Sequence, residues 1–86
     1  MKEGRVRVVV KLFAVAKERA GVAEVVLELA EGATVGGAAE ELGRRFEGLG
    51  TMMDRVAFAV NRGYARKDTV LREGDELAVI PPVSGG

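Results

Sequence analysis

Four segments of this chain alternate between apolar and other residues, and no other feature limits its fold as strongly. They are RVRVVVKLF at 5–13, AEVVLEL at 23–29, VAFAVN at 56–61 and LAVIP at 77–81. Successive side chains of a β-strand point to opposite faces, so each segment predicts a strand with one apolar face. The residues predicted to face inward are Val6, Val8, Val10, Leu12, Val25, Leu27, Leu29, Val56, Phe58, Val60, Leu77 and Val79. A sheet with one apolar side needs a covering layer.

Two segments have helical patterns and can supply that layer. AVAKERAG at 14–21 predicts a short helix with Gly21 in a C-cap position. A longer helix is predicted over 35–47, because apolar residues recur there at helical spacing after Thr34, a residue suited to an N-cap. Glycine costs about 1 kcal/mol relative to alanine inside a helix, so we expect its glycines to permit close approach to the sheet. These glycines are Gly36, Gly37 and Gly43.

The remaining segments predict connections between these elements. NRGY at 61–64 predicts a turn, ARKDTVL at 65–71 is irregular or holds a very short edge strand, and REGDE at 72–76 predicts a tight turn with Gly74 at positive φ. The order is strand, strand, helix, strand, short strand, strand. One main helix crossing one face of a mixed sheet predicts an α+β architecture, with the β-grasp as the natural candidate. We expect a β-grasp domain over 1–81 and a flexible C-terminal tail over 82–86.

Composition excludes several classes of function. The 13 basic and 13 acidic residues cancel, which leaves no electrostatic footprint for nucleic acid or an anionic membrane surface. No apolar run approaches the length of a membrane span, and basic residues inside the first apolar stretch argue against a signal peptide. Cysteine and histidine are absent, which excludes disulfides, thiolate or imidazole metal sites and the usual nucleophiles. Asp75 and Glu76 are adjacent carboxylates without a third ligand nearby, so we predict no metal site.

The sequence PPVSGG at 81–86 is the segment whose chemistry stands out. Pro81 and Pro82 fix φ and direct the chain along an extended path. The residues after them extend on the order of 13 Å, and Gly85 has no Cβ, so this backbone suits a narrow channel. The tail then delivers one distinctive group, the α-carboxylate of Gly86, which becomes an electrophile once a partner activates it, most simply as an acyl-adenylate. A frayed terminus without a role is the alternative.

A second set of residues is apolar but points away from the predicted core. Its members are Val9, Phe13, Ala78 and Ile80. If the first and last strands are neighbours, these residues form one patch beside the tail, and contiguous exposed apolar patches usually mark a partner surface. The alternative is that a small sheet always exposes some apolar atoms. We predict a partner surface.

The motifs resemble those of the MoaD family, the small sulfur-carrying subunits of molybdopterin synthase. The resemblance lies in VKLFAVAKERAG at 10–21, VAFAVNR at 56–62 and LREGDELAVIPPVSGG at 71–86. The helix between them matches only in pattern, and the lead-in over residues 1–5 is slightly longer than the family's. The Gly-Asp-Glu turn followed by Pro-Pro-Val-Ser-Gly-Gly is highly specific, whereas a Gly-Gly alone is not.

The resemblance implies a ubiquitin-like β-grasp fold and a cytoplasmic sulfur carrier. It implies that an E1-like activating enzyme, of the MoeB family, uses ATP to adenylate Gly86, and that a sulfur donor protein converts the product to a thiocarboxylate. Pro81, Pro82, Val83, Ser84 and Gly85 would then enter the large subunit, of the MoaE family, in a heterotetramer. Sulfur passes there to cyclic pyranopterin monophosphate, which builds the dithiolene of the molybdenum cofactor. The resemblance places the catalytic residues on the large subunit, so this chain is not an enzyme on its own and holds no permanent cofactor.

Two other readings remain open at this point. The first is a sulfur carrier for thiazole synthesis or tRNA thiolation, or a ubiquitin-like protein modifier. The second is a β-grasp interaction module with an inert tail. The Pro-Pro-Val-Ser stretch favours the molybdopterin reading over the other sulfur pathways.

Overall fold

Residues 4–82, the part of the chain that the computed structural model describes, form five strands, two α-helices and one 3₁₀ turn. The elements are strand β1 (Arg5–Leu12), helix α1 (Ala14–Ala20), strand β2 (Glu24–Ala30), helix α2 (Val35–Arg45), a 3₁₀ turn (Glu47–Leu49), and strands β3 (Ala57–Val60), β4 (Gly63–Ala65) and β5 (Glu76–Ile80). Val83, Ser84, Gly85 and Gly86 lie outside the described residues. The predicted boundary between domain and tail therefore stays a prediction.

The described strands form one mixed sheet in the order β2-β1-β5-β3-β4. β1 and β5 are parallel, and the other neighbouring pairs are antiparallel. The first and last strands are therefore adjacent in the middle of the sheet, as the predicted patch requires. The predicted α+β architecture, with a main helix across one face of a mixed sheet, is confirmed.

The core lies between the inner face of the sheet and the helices. The inward facing predicted for β1 and β5 is confirmed, since Val8, Val10, Leu77 and Val79 are fully enclosed. Facing them, α2 buries an apolar stripe and α1 buries Ala16. The stripe consists of Val35, Ala38, Ala39 and Leu42. Each large aliphatic side chain removed from water in this way contributes about 1.5–3 kcal/mol.

The ends of both helices follow from their capping residues. Gly21 ends α1 in the left-handed region at φ 82°, and its N–H donates to Lys17 O, as predicted for a C-cap glycine. Thr34 caps α2, since its Oγ1 accepts from Gly37 N at 3.2 Å. α2 ends at Arg45 rather than at residue 47, because Phe46 adopts an extended conformation and its carbonyl accepts from Leu49 N in the 3₁₀ turn.

The glycines of α2 do not contact the sheet, so that prediction is wrong. A Cβ on Gly36 would lie 3.2 Å from Lys67 O, and Gly36 N donates to that same oxygen at 2.8 Å. A Cβ on Gly43 would approach only Gly50. The close approach at Gly36 is therefore to the loop after β4, because the sheet-facing positions of α2 hold alanine, valine and leucine.

The β3–β4 hairpin is tighter than the sequence indicated. Asn61 and Arg62 alone form its loop, with φ values of 51° and 75°, the pair of positive angles expected of a type I′ turn. A two-residue loop lets pairing resume at once, so the short edge strand begins at Gly63, within the segment predicted as a turn. Residues 66–70 follow as an irregular connection. Gly74 adopts φ 84°, as predicted.

Candidate functional site

The outer face of the sheet has no helix over it in the described structure, and its centre is built from small side chains. Register places Lys11, Ala78, Ala59 and Tyr64 side by side across β1, β5, β3 and β4. Two alanines lie in the middle of this row, with longer side chains at both ends. A row of that composition produces a depression between two walls.

This depression is a groove of about 470 Å³, hereafter the outer groove. It is lined by Lys11, Phe13, Ala59, Arg62, Tyr64, Glu76, Ala78 and Ile80. Phe13 is 47% exposed and Tyr64 is 84% exposed, so two aromatic rings stand in solvent beside an alanine floor. Exposed aromatic and aliphatic groups around a concavity are typical of a surface that binds another protein.

The backbone after β1 holds Phe13 at this surface. Phe13 is extended, and the next residue, Ala14, adopts a left-handed conformation at φ 51°. That angle is unfavourable for a residue with a Cβ. It turns the chain directly into α1, where Phe13 O accepts hydrogen bonds from Ala16 N at 3.0 Å and Lys17 N at 3.4 Å. Because these bonds fix both sides of the bend, the Phe13 ring is presented by an ordered backbone.

The outward facing predicted for Phe13, Ala78 and Ile80 is confirmed, and these residues line one groove. Val9 also lies on the outer face but not in that groove. It is in register with Val26 of β2 on one side and with Glu76 of β5 on the other, and Glu76 Oε1 lies 3.9 Å from Lys11 Nζ. Whether any of these residues binds a partner stays a prediction.

The predicted patch lacked five of the lining residues: the charged Lys11 and Glu76, and also Ala59, Arg62 and Tyr64. Ala59 alternates with the inward Phe58, so the pattern of β3 contained its signal. Arg62 and Tyr64 fell in a predicted turn, where alternation assigns no face. Only the pairing of Ala59 with Tyr64 across the hairpin shows that they border the groove.

Charged side chains stand around the groove. Lys11 and Arg62 carry positive charge, and Glu76 carries negative charge. The Lys11–Glu76 pair has side chains that are 39% and 38% exposed, so it contributes little to stability. Asn61 connects the hairpin to the turn before β5, because its Nδ2 donates to Asp75 Oδ1 at 2.9 Å and its Oδ1 accepts from Glu76 N at 3.0 Å.

The chain leaves β5 at the edge of the outer groove. Ile80 is the last residue of β5 and lines the groove. Pro81 is buried against the body, whereas Pro82 is exposed. The predicted tail residues therefore begin beside the groove, with Pro81 packed into the body.

A larger cavity of about 830 Å³ runs along the flank of α2. It is lined by the helix glycines and by charged side chains such as Glu40, Arg44, Asp54 and Lys67. It contains no exposed aromatic residue and is not lined by β5. The outer groove is therefore the better candidate site.

The described residues hold no metal-binding cluster. Within residues 4–82, no group of three or more histidine, cysteine, aspartate or glutamate side chains lies close enough together to hold an ion. No helix in the same range has the length and apolar composition needed to cross a membrane.

Known proteins resemble this chain over nearly its whole length. A family model described as the ThiS family matches residues 10–86. The molybdopterin synthase sulfur carrier subunit of Arabidopsis thaliana is 37% identical over 81 residues, which cover 94% of this chain and 84% of that protein. A solved structure, the putative molybdopterin converting factor subunit 1 from Pyrococcus furiosus, is 40% identical with a TM-score of 0.83, covering 91% of this chain and 99% of the other. The small archaeal modifier protein 1 of Haloferax volcanii is 30% identical with a TM-score of 0.84, covering 91% and 99%.

The fold is shared with more distant proteins. A ubiquitin from Caldiarchaeum subterraneum has a TM-score of 0.66 over 96% of this chain at 17% identity, a likeness of fold alone. The predicted β-grasp, ubiquitin-like fold is therefore confirmed.

Proposed function

This chain belongs to the ThiS family, and from that premise we propose that it acts as the sulfur carrier subunit of a molybdopterin synthase. The observation that carries the proposal is the length of the match. Relatives with that name align with almost the entire chain, and the family match runs through the outer groove to Gly86. A match limited to the folded body would support the assignment of the fold, but it would not support any chemistry at the C-terminal residues.

The proposed chemistry takes place at the α-carboxylate of Gly86. A carboxylate oxygen attacks the α-phosphorus of ATP on an activating enzyme, and pyrophosphate leaves. A sulfur donor protein then supplies sulfur at the oxidation level of sulfide, which displaces AMP and leaves a thiocarboxylate. The thiocarboxylate sulfur then bonds to a carbon of cyclic pyranopterin monophosphate and displaces an oxygen substituent there. Water cleaves the remaining acyl–sulfur bond, which leaves the sulfur on the acceptor and restores the Gly86 carboxylate.

Other proteins supply the catalytic side chains in this proposal. The sequence has no cysteine or histidine, and its only serine, Ser84, belongs to the predicted tail. Proton transfer and substrate binding are therefore assigned to the large subunit, and ATP is bound by the activating enzyme. The carrier contributes a reactive terminus and a surface that positions it, and it acts in the cytoplasm.

The outer groove is the proposed docking surface for these partners. Its exposed rings, Phe13 and Tyr64, and its alanine floor offer apolar area to a complementary surface. Ile80 belongs to the groove, and the chain continues from it through Pro81 and Pro82. A partner seated there therefore lies at the root of the tail, whose four residues after Pro82 span on the order of 13 Å when fully extended.

Removal of Gly86 tests this function. The assay combines the carrier with the large subunit, the activating enzyme, ATP, a sulfur donor and cyclic pyranopterin monophosphate. We expect deletion of Gly86, or extension of the chain beyond it, to abolish molybdopterin formation. The circular dichroism spectrum and binding to the large subunit should be retained, because neither change touches the folded body. Full activity in either variant would refute the proposal.

A second candidate function is protein modification through the same carboxylate. It is favoured by the likeness to the small archaeal modifier protein 1 of Haloferax volcanii. In that case, activation by ATP leads to an isopeptide bond between Gly86 and a lysine of another protein. Mass spectrometry can detect peptides of other proteins in which a lysine carries the C-terminal residues of this chain. A comparison of cells that express the full chain with cells that express the chain lacking Gly86 distinguishes this activity from sulfur transfer. Carriage of sulfur for thiazole synthesis or tRNA thiolation is tested by measuring thiazole and thiolated tRNA. An inert interaction module would keep its partner affinity and its activity when Gly86 is removed.

A further inference from the structure

β2 forms an open edge of the sheet. It is 7 residues long, pairs only with β1 among the described strands, and lies at the opposite end of the sheet from the short strand β4. A long edge strand presents unpaired backbone groups on which another strand can form hydrogen bonds.

The hydrogen bonds around β1 show which residues present those groups. Leu12 N donates to Ala23 O at 2.8 Å, and Glu31 N donates to Gly4 O at 3.1 Å. Since hydrogen-bonded and non-bonded pairs alternate in an antiparallel ladder, the odd-numbered residues of β2 bond to β1. The N–H and C=O groups of Glu24, Val26 and Glu28 therefore point toward the open edge.

The side chains of the same three residues lie on the outer face. Val26 is 46% exposed and stands opposite Val9, which lies on the outer face but does not line the outer groove. Glu24 and Glu28 stand on either side of Val26 along the strand. The edge thus combines free backbone groups with a repeating side-chain pattern, acidic, apolar, acidic.

The neighbouring strand shows which charges complement this pattern. Arg7 Nη2 lies 3.8 Å from Glu28 Oε2, and Lys11 is in register with Glu24. In each of these two cross-strand pairs, a basic residue on β1 stands next to an acidic residue on β2. A basic side chain on a further strand would extend both pairs, because opposite charges that face each other across strands stabilise the pairing.

Pairing of a second copy along the whole acidic, apolar, acidic segment brings like charges together. Two β2 strands paired about Val26 in antiparallel orientation would place Glu24 of one copy opposite Glu28 of the other. Parallel pairing in register would place each glutamate opposite itself. Like charges directly opposite each other destabilise a sheet, so the edge disfavours its own copy.

We propose that the β2 edge accepts an extended segment of a partner protein that presents basic, apolar and basic side chains opposite Glu24, Val26 and Glu28. The segment adds a strand to the sheet: its backbone pairs with the open groups, and its alternating side chains supply specificity. β1 separates this edge from β5 and the outer groove. A partner on the edge therefore leaves the groove and the tail exit free for a second protein, independently of which proteins use the groove.

Amide hydrogen exchange, followed by NMR on the full chain, tests the proposal. The probe is the synthetic peptide Thr-Lys-Thr-Val-Thr-Lys-Thr, and the control peptide has glutamate in place of lysine. We expect the basic peptide to slow exchange at Glu24, Val26 and Glu28 and to leave Tyr64 unchanged, with an effect that weakens as salt is added. Absence of protection along β2, or equal protection by both peptides, would overturn the proposal.

Variants of β2 separate edge pairing from general attraction of charge. Glu24→Lys combined with Glu28→Lys should weaken binding of the basic peptide by about tenfold or more and create binding of the acidic peptide. Val26→Pro removes an N–H that points to the open edge, at a position where a sheet tolerates proline, and should abolish binding. Val26→Thr keeps that N–H and should retain binding. Thermal melts confirm that each variant is folded.

Two outcomes would overturn the assignment of a basic partner. One is unchanged affinity for the basic peptide in the charge-reversed variant. The other is a wild-type dimer in sedimentation experiments that Val26→Pro dissociates, since that result would make a second copy the natural occupant of the edge.

Discussion

The two faces of the sheet are built from alternate residues of the same strands, yet their compositions differ sharply. On the inner face, Val8 and Leu77 are fully enclosed beneath the helices. On the outer face, their sequence neighbours Val9 and Ala78 lie among charged side chains with no helix above them. A period of two residues thus lets one strand serve two purposes. The inner residues hold the fold together, and the outer ones are free to be chosen for recognition.

The largest stability effect should come from the inner face. Phe58→Ala removes a side chain that is 4% exposed and leaves a cavity, so we expect a loss of about 3–5 kcal/mol in the free energy of unfolding. Tyr64→Ala is the matched control, an aromatic residue on the adjacent strand but on the outer face. Chemical denaturation should show little change for Tyr64→Ala. Comparable losses in the two variants would break the distinction between the faces.

Substitution of Gly85 should slow turnover without changing either the stability of the core or binding at the outer groove. If the tail enters a narrow channel, a Cβ at this position displaces the reacting carbonyl, and such a displacement can reduce a rate about a hundredfold. We expect Gly85→Ala to keep its melting temperature and its affinity for the large subunit. Single-turnover assays of adenylation and of sulfur transfer measure the effect. Wild-type rates would mean that the channel is wide.

Truncation at the outer groove should weaken binding more than stability. We expect Phe13→Ala or Ile80→Ala to reduce affinity for the large subunit by about 1–3 kcal/mol, as for other interface anchors. Calorimetric titration provides the affinity. Val70→Ala is the control, because Val70 is 48% exposed but lies outside the groove. Unfolding of the groove variants, without a specific binding defect, would contradict the assigned role.

The smallest effect should come from Asn61, which connects the hairpin to the turn before β5. Asn61→Ala removes its two side-chain hydrogen bonds and places a less tolerant residue at φ 51°, so we expect a loss of about 1–2 kcal/mol in unfolding free energy. Asn61→Gly loses the same bonds but accepts the angle, so it should be the milder change. A larger loss for glycine would show that the backbone angle is not a source of strain.

Local patterns predicted the elements and most of their faces. Alternation gave the inward residues of β1 and β5, and Thr34 and Gly21 marked the helix ends, because strand period and capping depend on near neighbours in sequence. The core residues Leu49, Met52 and Met53 were not predicted, because no local pattern marks them. They lie in and after the 3₁₀ turn, where no regular period signals burial.

The composition of the outer groove depends on the order of the strands in the sheet, and the sequence of a single segment does not predict that order. Alternation correctly placed Val9 and Phe13 on the outer face, but only the order β2-β1-β5-β3-β4 shows that Phe13 borders the groove while Val9 lies beside Val26. In the same way, only the hairpin pairing of Tyr64 with Ala59 shows that Tyr64 borders the groove. Lateral relations of this kind arise from packing across the whole sheet.

The intact mass of the protein after incubation with an E1-like activating enzyme, ATP and a sulfur source tests the central claim most directly. We predict a gain equal to the replacement of one oxygen atom by sulfur, which peptide fragmentation locates at Gly86. The gain should disappear when the large subunit and cyclic pyranopterin monophosphate are added. An unchanged mass under conditions in which the activating enzyme consumes ATP, or sulfur attached at any residue other than Gly86, would contradict the assignment of this chain as a sulfur carrier.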